Sequence, residues 1–227
     1  SDTKTLPTEE MRRAMYKAEV GDDVSREDPT VNRLEEIAAH MLGKESALLT
    51  PSGIMSNLLS VLTHTRPGEE IILGDESHML RYEVGGASAL GGVVMRTVPN
   101  EQNGQMNLDT VEETIRTKDI HFPLTTLLCL ENTHNRCGGS VLTPEYTSAI
   151  AGLAHKFGIR IHLDGARIFN ATVALNVPVS ELANPADSVC FCLSKGLSAP
   201  VGSLLCGPRE FVERARKWRR MVGGGMR

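Results

Sequence analysis

Asp164 and Arg167 stand in His-Leu-Asp-Gly-Ala-Arg at 162–167, and Lys195 stands in Cys-Leu-Ser-Lys-Gly-Leu at 192–197. Each segment follows a short apolar run that reads as a strand, Ile159 to Leu163 and Val189 to Leu193. One run releases a carboxylate and a guanidinium into a loop; the other releases an amine. These three groups at the ends of neighbouring strands suit pyridoxal 5'-phosphate (PLP). The lysine would hold the aldehyde as a Schiff base, and the aspartate would pair with the pyridinium nitrogen. An arbitrary lysine is far more often solvated surface. Lys195, set between an apolar strand and a glycine, is a poor fit to that reading.

Further residues fall after other apolar runs. Ser52 and Gly53 lie where a strand turns into a helix, and a helix N-terminus offers free N–H groups and a positive dipole end to a phosphate. A Ser-Gly turn alone is more often a simple cap. His78 follows Ile71-Ile72-Leu73-Gly74-Asp75; an imidazole there can be structural, or it can stack on a planar cofactor or shuttle protons. His121, in Asp-Ile-His-Phe-Pro, carries a weaker version of the same expectation. His134 reads as a residue that orders a polar loop, and His40, His64, His155 and His162 as plain members of helices or strands. Ligands in open α/β sheets bind beyond the carboxyl ends of the strands. One crevice is therefore expected to gather Ser52, Asp75, His78, Asn132, Asp164 and Lys195.

The elements that must position these groups alternate along the chain. Strands are expected at Ala47–Thr50, Glu70–Leu73, Val93–Val98, Thr126–Leu130, Ile159–Leu163 and Ser188–Leu193, and helices at Thr8–Ala18, Pro29–Leu42, after the Pro51-Ser52-Gly53 turn, and near 108–116 and 144–157. This alternation predicts βαβ units: an α/β fold, a three-layer αβα sandwich around a mostly parallel sheet. Val201–Cys206 is expected to return as an antiparallel neighbour of Ser188–Leu193. The basic stretch from Pro208 onward, around Trp218, reads either as a solvated helix and tail or as an element that meets a phosphate or a partner subunit.

The bulk properties bound the answer. The 227 residues can bury a sizeable core in one large domain. A net charge of −4 argues against a general nucleic-acid binder, and no apolar run suits a membrane span. The five cysteines are odd in number and irregularly spaced, so reduced structural thiols are expected and no metal site. That favours a cytoplasmic protein, with a mitochondrial one left open because no Met starts the chain. No Gly-x-Gly-x-x-Gly turn opens the first βαβ unit, which weighs against a dinucleotide oxidoreductase.

Taken together, Val20-Gly21-Asp22-Asp23, Glu27-Asp28-Pro29-Thr30, Leu130-Glu131-Asn132-Thr133-His134-Asn135, Leu163-Asp164-Gly165-Ala166-Arg167 and Leu193-Ser194-Lys195-Gly196-Leu197 make the whole chain resemble the low-specificity L-threonine aldolases. These are fold-type I PLP enzymes of the β-eliminating lyase group. The resemblance implies that Lys195 carries the cofactor, Asp164 grips its ring nitrogen, His78 stacks on the ring, and Ser52 with Gly53 holds the phosphate. It implies that His121 sits near the substrate hydroxyl, and that Arg167 contacts the ring oxygen region and, with Ser1, the substrate carboxylate. Arg220 and Arg227 match basic positions that reach toward a neighbouring subunit. A homotetramer is implied, with residues 1–227 as the PLP-binding large domain and a smaller C-terminal domain lacking. Ile54 stands where the family has Thr, Ser25-Arg26 where it has Tyr-Gly, Lys4 and Leu6 where it has Val and Arg, and Arg220 where Lys is common.

The implied reaction is retro-aldol cleavage of a β-hydroxy-α-amino acid, L-threonine or L-allo-threonine, to glycine and acetaldehyde. Two rival readings stand beside it: a β-eliminating PLP lyase acting on serine or cysteine derivatives, and a remnant that folds without turnover.

Overall fold

The structure is a computed structural model that describes residues 1–225. Strands β1 (Ser46–Thr50), β2 (Glu70–Gly74), β3 (Val94–Val98), β4 (Thr125–Glu131), β5 (Arg160–Asp164), β6 (Ser188–Cys192) and β7 (Ser203–Gly207) form one sheet. Its order is β1-β7-β6-β5-β4-β2-β3. Only β7 runs against its neighbours among the described strands; it pairs antiparallel with both β1 and β6. The expected mostly parallel sheet, including the antiparallel return beside β6, is the one observed.

The helices are α1 (Glu9–Lys17), α2 (Pro29–Leu42), α3 (Gly53–His64), α4 (His78–Arg81), α5 (Gly86–Gly91), α6 (Leu108–Thr114), α7 (Pro144–Lys156), α8 (Ile168–Leu175), α9 (Val179–Ala183) and α10 (Arg209–Met221). Local chemistry sets several boundaries. Asp28 caps α2 by accepting from Val31 N, with Pro29 in the first turn, where its missing N–H costs nothing. Gly43 closes α2 at φ +64°, a left-handed turn that a side chain disfavours.

Strand alternation sends side chains to two faces. On one face Ile161, Leu163, Val189, Phe191, Leu204 and Cys206 join the large apolar cluster with α2, α6, α7, α8 and α9. The other face is covered by α3, α4, α5 and α10, through two smaller clusters around Ile71 and Leu73 and around Leu48 and Leu205. This is a three-layer sandwich. On its second face, below α3, lie buried polar side chains: His162, Asp164, Ser188 and Ser203.

The expectation of a solvated basic helix fails for part of α10. Arg219 is 1% exposed and donates to Leu49 O at 2.6 Å while pairing with Asp23 Oδ2 at 2.8 Å. The amphipathic helix packs against α3 and β1, so one of its cations must be buried with a partner. Arg220, on the outer side, is exposed.

Candidate active site

Four strand ends meet at the carboxyl edge of the sheet. β1 leads to Ser52, which caps α3 by accepting from Met55 N at 3.2 Å. β2 leads to His78 at the start of α4, β5 ends on Asp164, and β6 leads to Lys195. A cavity of about 390 Å³ is lined by Ser52, Gly53, Ile54, Asn57, His78, Glu83, Asp164, Cys192 and Lys195, among others. That volume suits a small-molecule ligand. Lys195 and Asp164, singled out from sequence, thus face one space.

Polar partners fix the walls. Asp164 Oδ2 accepts from Asn57 Nδ2 at 2.8 Å, and Asp164 Oδ1 accepts from Ala166 N at 3.1 Å. Asn57 Nδ2 also donates to Glu83 Oε1 at 2.7 Å, and that same oxygen meets His78 Nδ1 at 2.8 Å. The hydrogen bond to Glu83 raises the His78 pKa above the ordinary imidazole range, and burial raises the Glu83 pKa. The backbone N of His78 is held by Glu131 Oε2 at 2.8 Å; burial beside Asp164 pushes the Glu131 carboxyl up to about 7.

The donor set fits PLP. It offers an amine for the aldehyde, a carboxylate for the ring nitrogen, an imidazole at the wall and the N-terminus of a 12-residue helix for the phosphate. Gly53 adds a steric argument: a Cβ there would meet Cys192 Sγ at 2.8 Å, so glycine keeps this corner open. His78, Glu83 and Asp164 also place ligand atoms within 4.8 Å of one another, a spacing a metal could use. Each is already engaged by Asn57 or by its neighbour in the trio, which suits the network better.

Other expected residues do not reach this cavity. His121 is exposed in the loop before β4, at the amino edge of the parallel strands, where Asp119 Oδ1 holds its backbone N at 2.7 Å and its ring at 3.0 Å. Arg167 is paired bidentately with Asp2, Nε to Oδ2 at 2.6 Å and Nη2 to Oδ1 at 2.9 Å, which lowers the Asp2 pKa. Ser1 is exposed and bonds to Thr3 in its own turn. The N-terminal arm nonetheless borders the cavity: Thr3 and Thr5 line it, and Thr5 Oγ1 donates to Lys195 O at 2.7 Å. Asp75 and Asn132 brace loops instead, Asp75 by accepting from Asn100 N and Asn132 by bonding both ways with Leu142. Arg220 lines none of it, and Arg227 lies outside the described residues.

Sequence reasoning missed Asn57, Glu83 and Asp2. Asn57 had one available signal: it is an amide on the buried face of an apolar helix.

A model of the β-eliminating lyase family matches residues 1–227. The chain belongs to this family. Among its curated relatives, low-specificity L-threonine aldolase 1 of Arabidopsis thaliana is 52% identical over 230 residues, covering 100% of this chain and 64% of that protein. The low specificity L-threonine aldolase of Escherichia coli O157:H7 is 47% identical over 227 residues, covering 100% of this chain and 67% of that protein. This family member thus spans about two thirds of the length of such relatives. A threonine aldolase structure from Leishmania major superposes with a TM-score of 0.85 at 20% identity, over 100% of this chain and 67% of that one, which shows the shared fold.

Proposed function

We propose that this chain is the PLP-binding large domain of a threonine aldolase, cleaving L-threonine or L-allo-threonine to glycine and acetaldehyde. The observation that carries the reading is the single cavity lined by Lys195, Asp164 and the N-terminus of α3. When bound, PLP supplies an electrophilic aldehyde and a ring that accepts the electrons of the bond broken at Cα.

The chain's own groups do the rest. Lys195 would provide the amine that tethers the cofactor, and Asp164 would pair with its ring nitrogen. Gly53 and Ile54 offer the first N–H groups of α3 to a phosphate; Ser52 holds the turn by capping the helix. Ile54 carries no hydroxyl, so the phosphate lacks one charge-assisted bond that a Thr would give. His78 Nε2 has no partner among the described residues, while Nδ1 is steadied by Glu83. It can take the β-hydroxyl proton and keep the resulting charge against a carboxylate. Freed from Asp2, Arg167 would hold the substrate carboxylate beside Ser1; His121 and Arg220 would join a site only as those of a neighbouring subunit.

Self-association as a homo-oligomer is supported by Leu6, Tyr16 and Val20, apolar residues of the N-terminal arm that are 75%, 91% and 81% exposed. A cytoplasmic setting is supported by free thiols at all five cysteines, four of them buried. Among the described residues no helix is long and apolar enough to cross a membrane.

The test is a PLP titration followed by visible absorption, then incubation with threonine. Bound-cofactor absorption and release of glycine with acetaldehyde are expected, and Lys195→Ala should abolish both. Retention of both in Lys195→Ala would refute the assignment. Pyruvate and ammonia from serine, with no aldehyde from threonine, would replace it with β-elimination.

A further inference from the structure

A second cavity, of about 730 Å³, opens at the amino edge of the sheet, lined by His64, Arg66, Arg214 and Trp218 among others. A hydrogen-bonded chain through the molecule joins it to the candidate active site. His64 Nε2 lies 2.8 Å from Ser188 Oγ, which lies 2.9 Å from His162 Nδ1. His162 Nε2 lies 3.0 Å from Asn57 Oδ1, and Asn57 Nδ2 reaches Asp164 Oδ2 at 2.8 Å. Asn57, His162 and Ser188 are at most 1% exposed.

Chemistry fixes the direction of every bond. Asn57 Nδ2 serves two carboxyl oxygens, of Glu83 and Asp164, so its amide oxygen must turn the other way. That oxygen only accepts, so His162 Nε2 carries the hydrogen. Burial keeps His162 neutral, with a pKa near 4, so Nδ1 is bare and Ser188 must donate to it. The Ser188 oxygen then accepts from His64 Nε2–H, and burial lowers the His64 pKa to about 3. The S–H of Cys190, 3.3 Å from Asn57 Oδ1, adds a donor in the same sense. Every hydrogen points toward Asp164, and such aligned bonds polarise one another. The Asn57 amide between His162 and Asp164 cannot relay a proton, which makes this an orienting chain and not a proton conductor.

We propose that Asn57, His162, Ser188 and His64 are positioning residues whose one-way chain of donors fixes the Asp164 carboxylate as the acceptor for the cofactor's ring nitrogen. This rests on the PLP reading for the identity of the group that Asp164 grips. The direction of the chain does not depend on it.

Two measurements test the proposal. Nitrogen-15 NMR of the chain without cofactor should show His162 and His64 as neutral Nε2–H tautomers at pH 7. An Nδ1–H tautomer at His162 would overturn it. With PLP, His162→Leu should weaken cofactor binding roughly ten- to thirtyfold and shift the absorption of the bound form. His162→Gln, whose amide can still donate to Asn57, should recover most of both. Equal loss of melting temperature in the two variants with unchanged cofactor affinity and spectrum would leave only a structural role and overturn the proposal. If the unmodified chain binds no PLP, the functional reading fails while the tautomers still decide the direction of the chain.

Discussion

The two faces of β5 and β6 are built from opposite materials. Ile161, Leu163, Val189 and Phe191 point into the large apolar cluster. The residues that alternate with them, His162, Asp164, Ser188 and Cys190, point toward α3, equally buried. The apolar face works by area removed from water, which is nondirectional and tolerant of repacking. The polar face has no such tolerance. Each buried donor or acceptor there needs one partner in one orientation, because an unmatched group costs about 1–3 kcal/mol. The contrast separates what makes the domain stable from what fixes the orientation of its candidate chemical groups.

The largest effect should come from cutting the apolar face alone. Ile161→Ala removes most of a fully buried side chain and should lower unfolding free energy by about 2–5 kcal/mol. Denaturant unfolding measures this, and PLP titration of the folded fraction should give unchanged affinity. If affinity falls in parallel with stability, the two faces are not separable and the comparison breaks.

A smaller effect, with a pH signature, belongs to the polar face. The folded His162 pKa is about 4, below the roughly 6.5 of a free imidazole. Between those values the unfolded chain binds a proton that the folded chain does not. Stability therefore falls as pH drops through this window, and this group alone should cost on the order of 2 kcal/mol between pH 7 and pH 5. His162→Gln should remove that part of the slope, leaving the part due to His64. Unfolding curves for both proteins at pH 7 and pH 5 measure it. Parallel slopes would mean that His162 is not held neutral by burial.

The same contrast explains what the sequence discloses. Apolar runs ending in a polar residue mark strands, so the sheet, Asp164, Lys195, His78 and the Ser52-Gly53 turn are legible from spacing. Alternation even puts His162 on the face opposite Leu163. The partners of these groups are not legible, because hydrogen bonds join residues far apart in the chain. Asn57 meets Asp164 across 107 residues, and Asp2 meets Arg167 across 165. No local pattern encodes such pairings. A basic helix likewise does not announce that Arg219 turns inward to Asp23 while Arg220 stays out. His121 illustrates the opposite limit: its position before β4 places it at the amino edge of the sheet, whatever its neighbours in sequence suggest.

The smallest effect should come where the polar face meets the mouth of the cavity. Gly53 opens α3, and its backbone does not require glycine for conformational reasons, so Ala is acceptable to the helix. The obstacle is Cys192, whose sulfur would sit 2.8 Å from the new Cβ. Moving that sulfur crowds the corner where a phosphate would approach the first N–H groups of the helix. Gly53→Ala should therefore change stability by less than about 1 kcal/mol yet weaken PLP binding several-fold, read by titrating the visible absorption. Cys192→Ala shortens the obstructing side chain and should restore much of the affinity when combined with Gly53→Ala, a non-additivity expected of residues in contact. If the double variant binds no better than Gly53→Ala alone, the corner does not take the phosphate, and the helix N-terminus serves only to cap the fold.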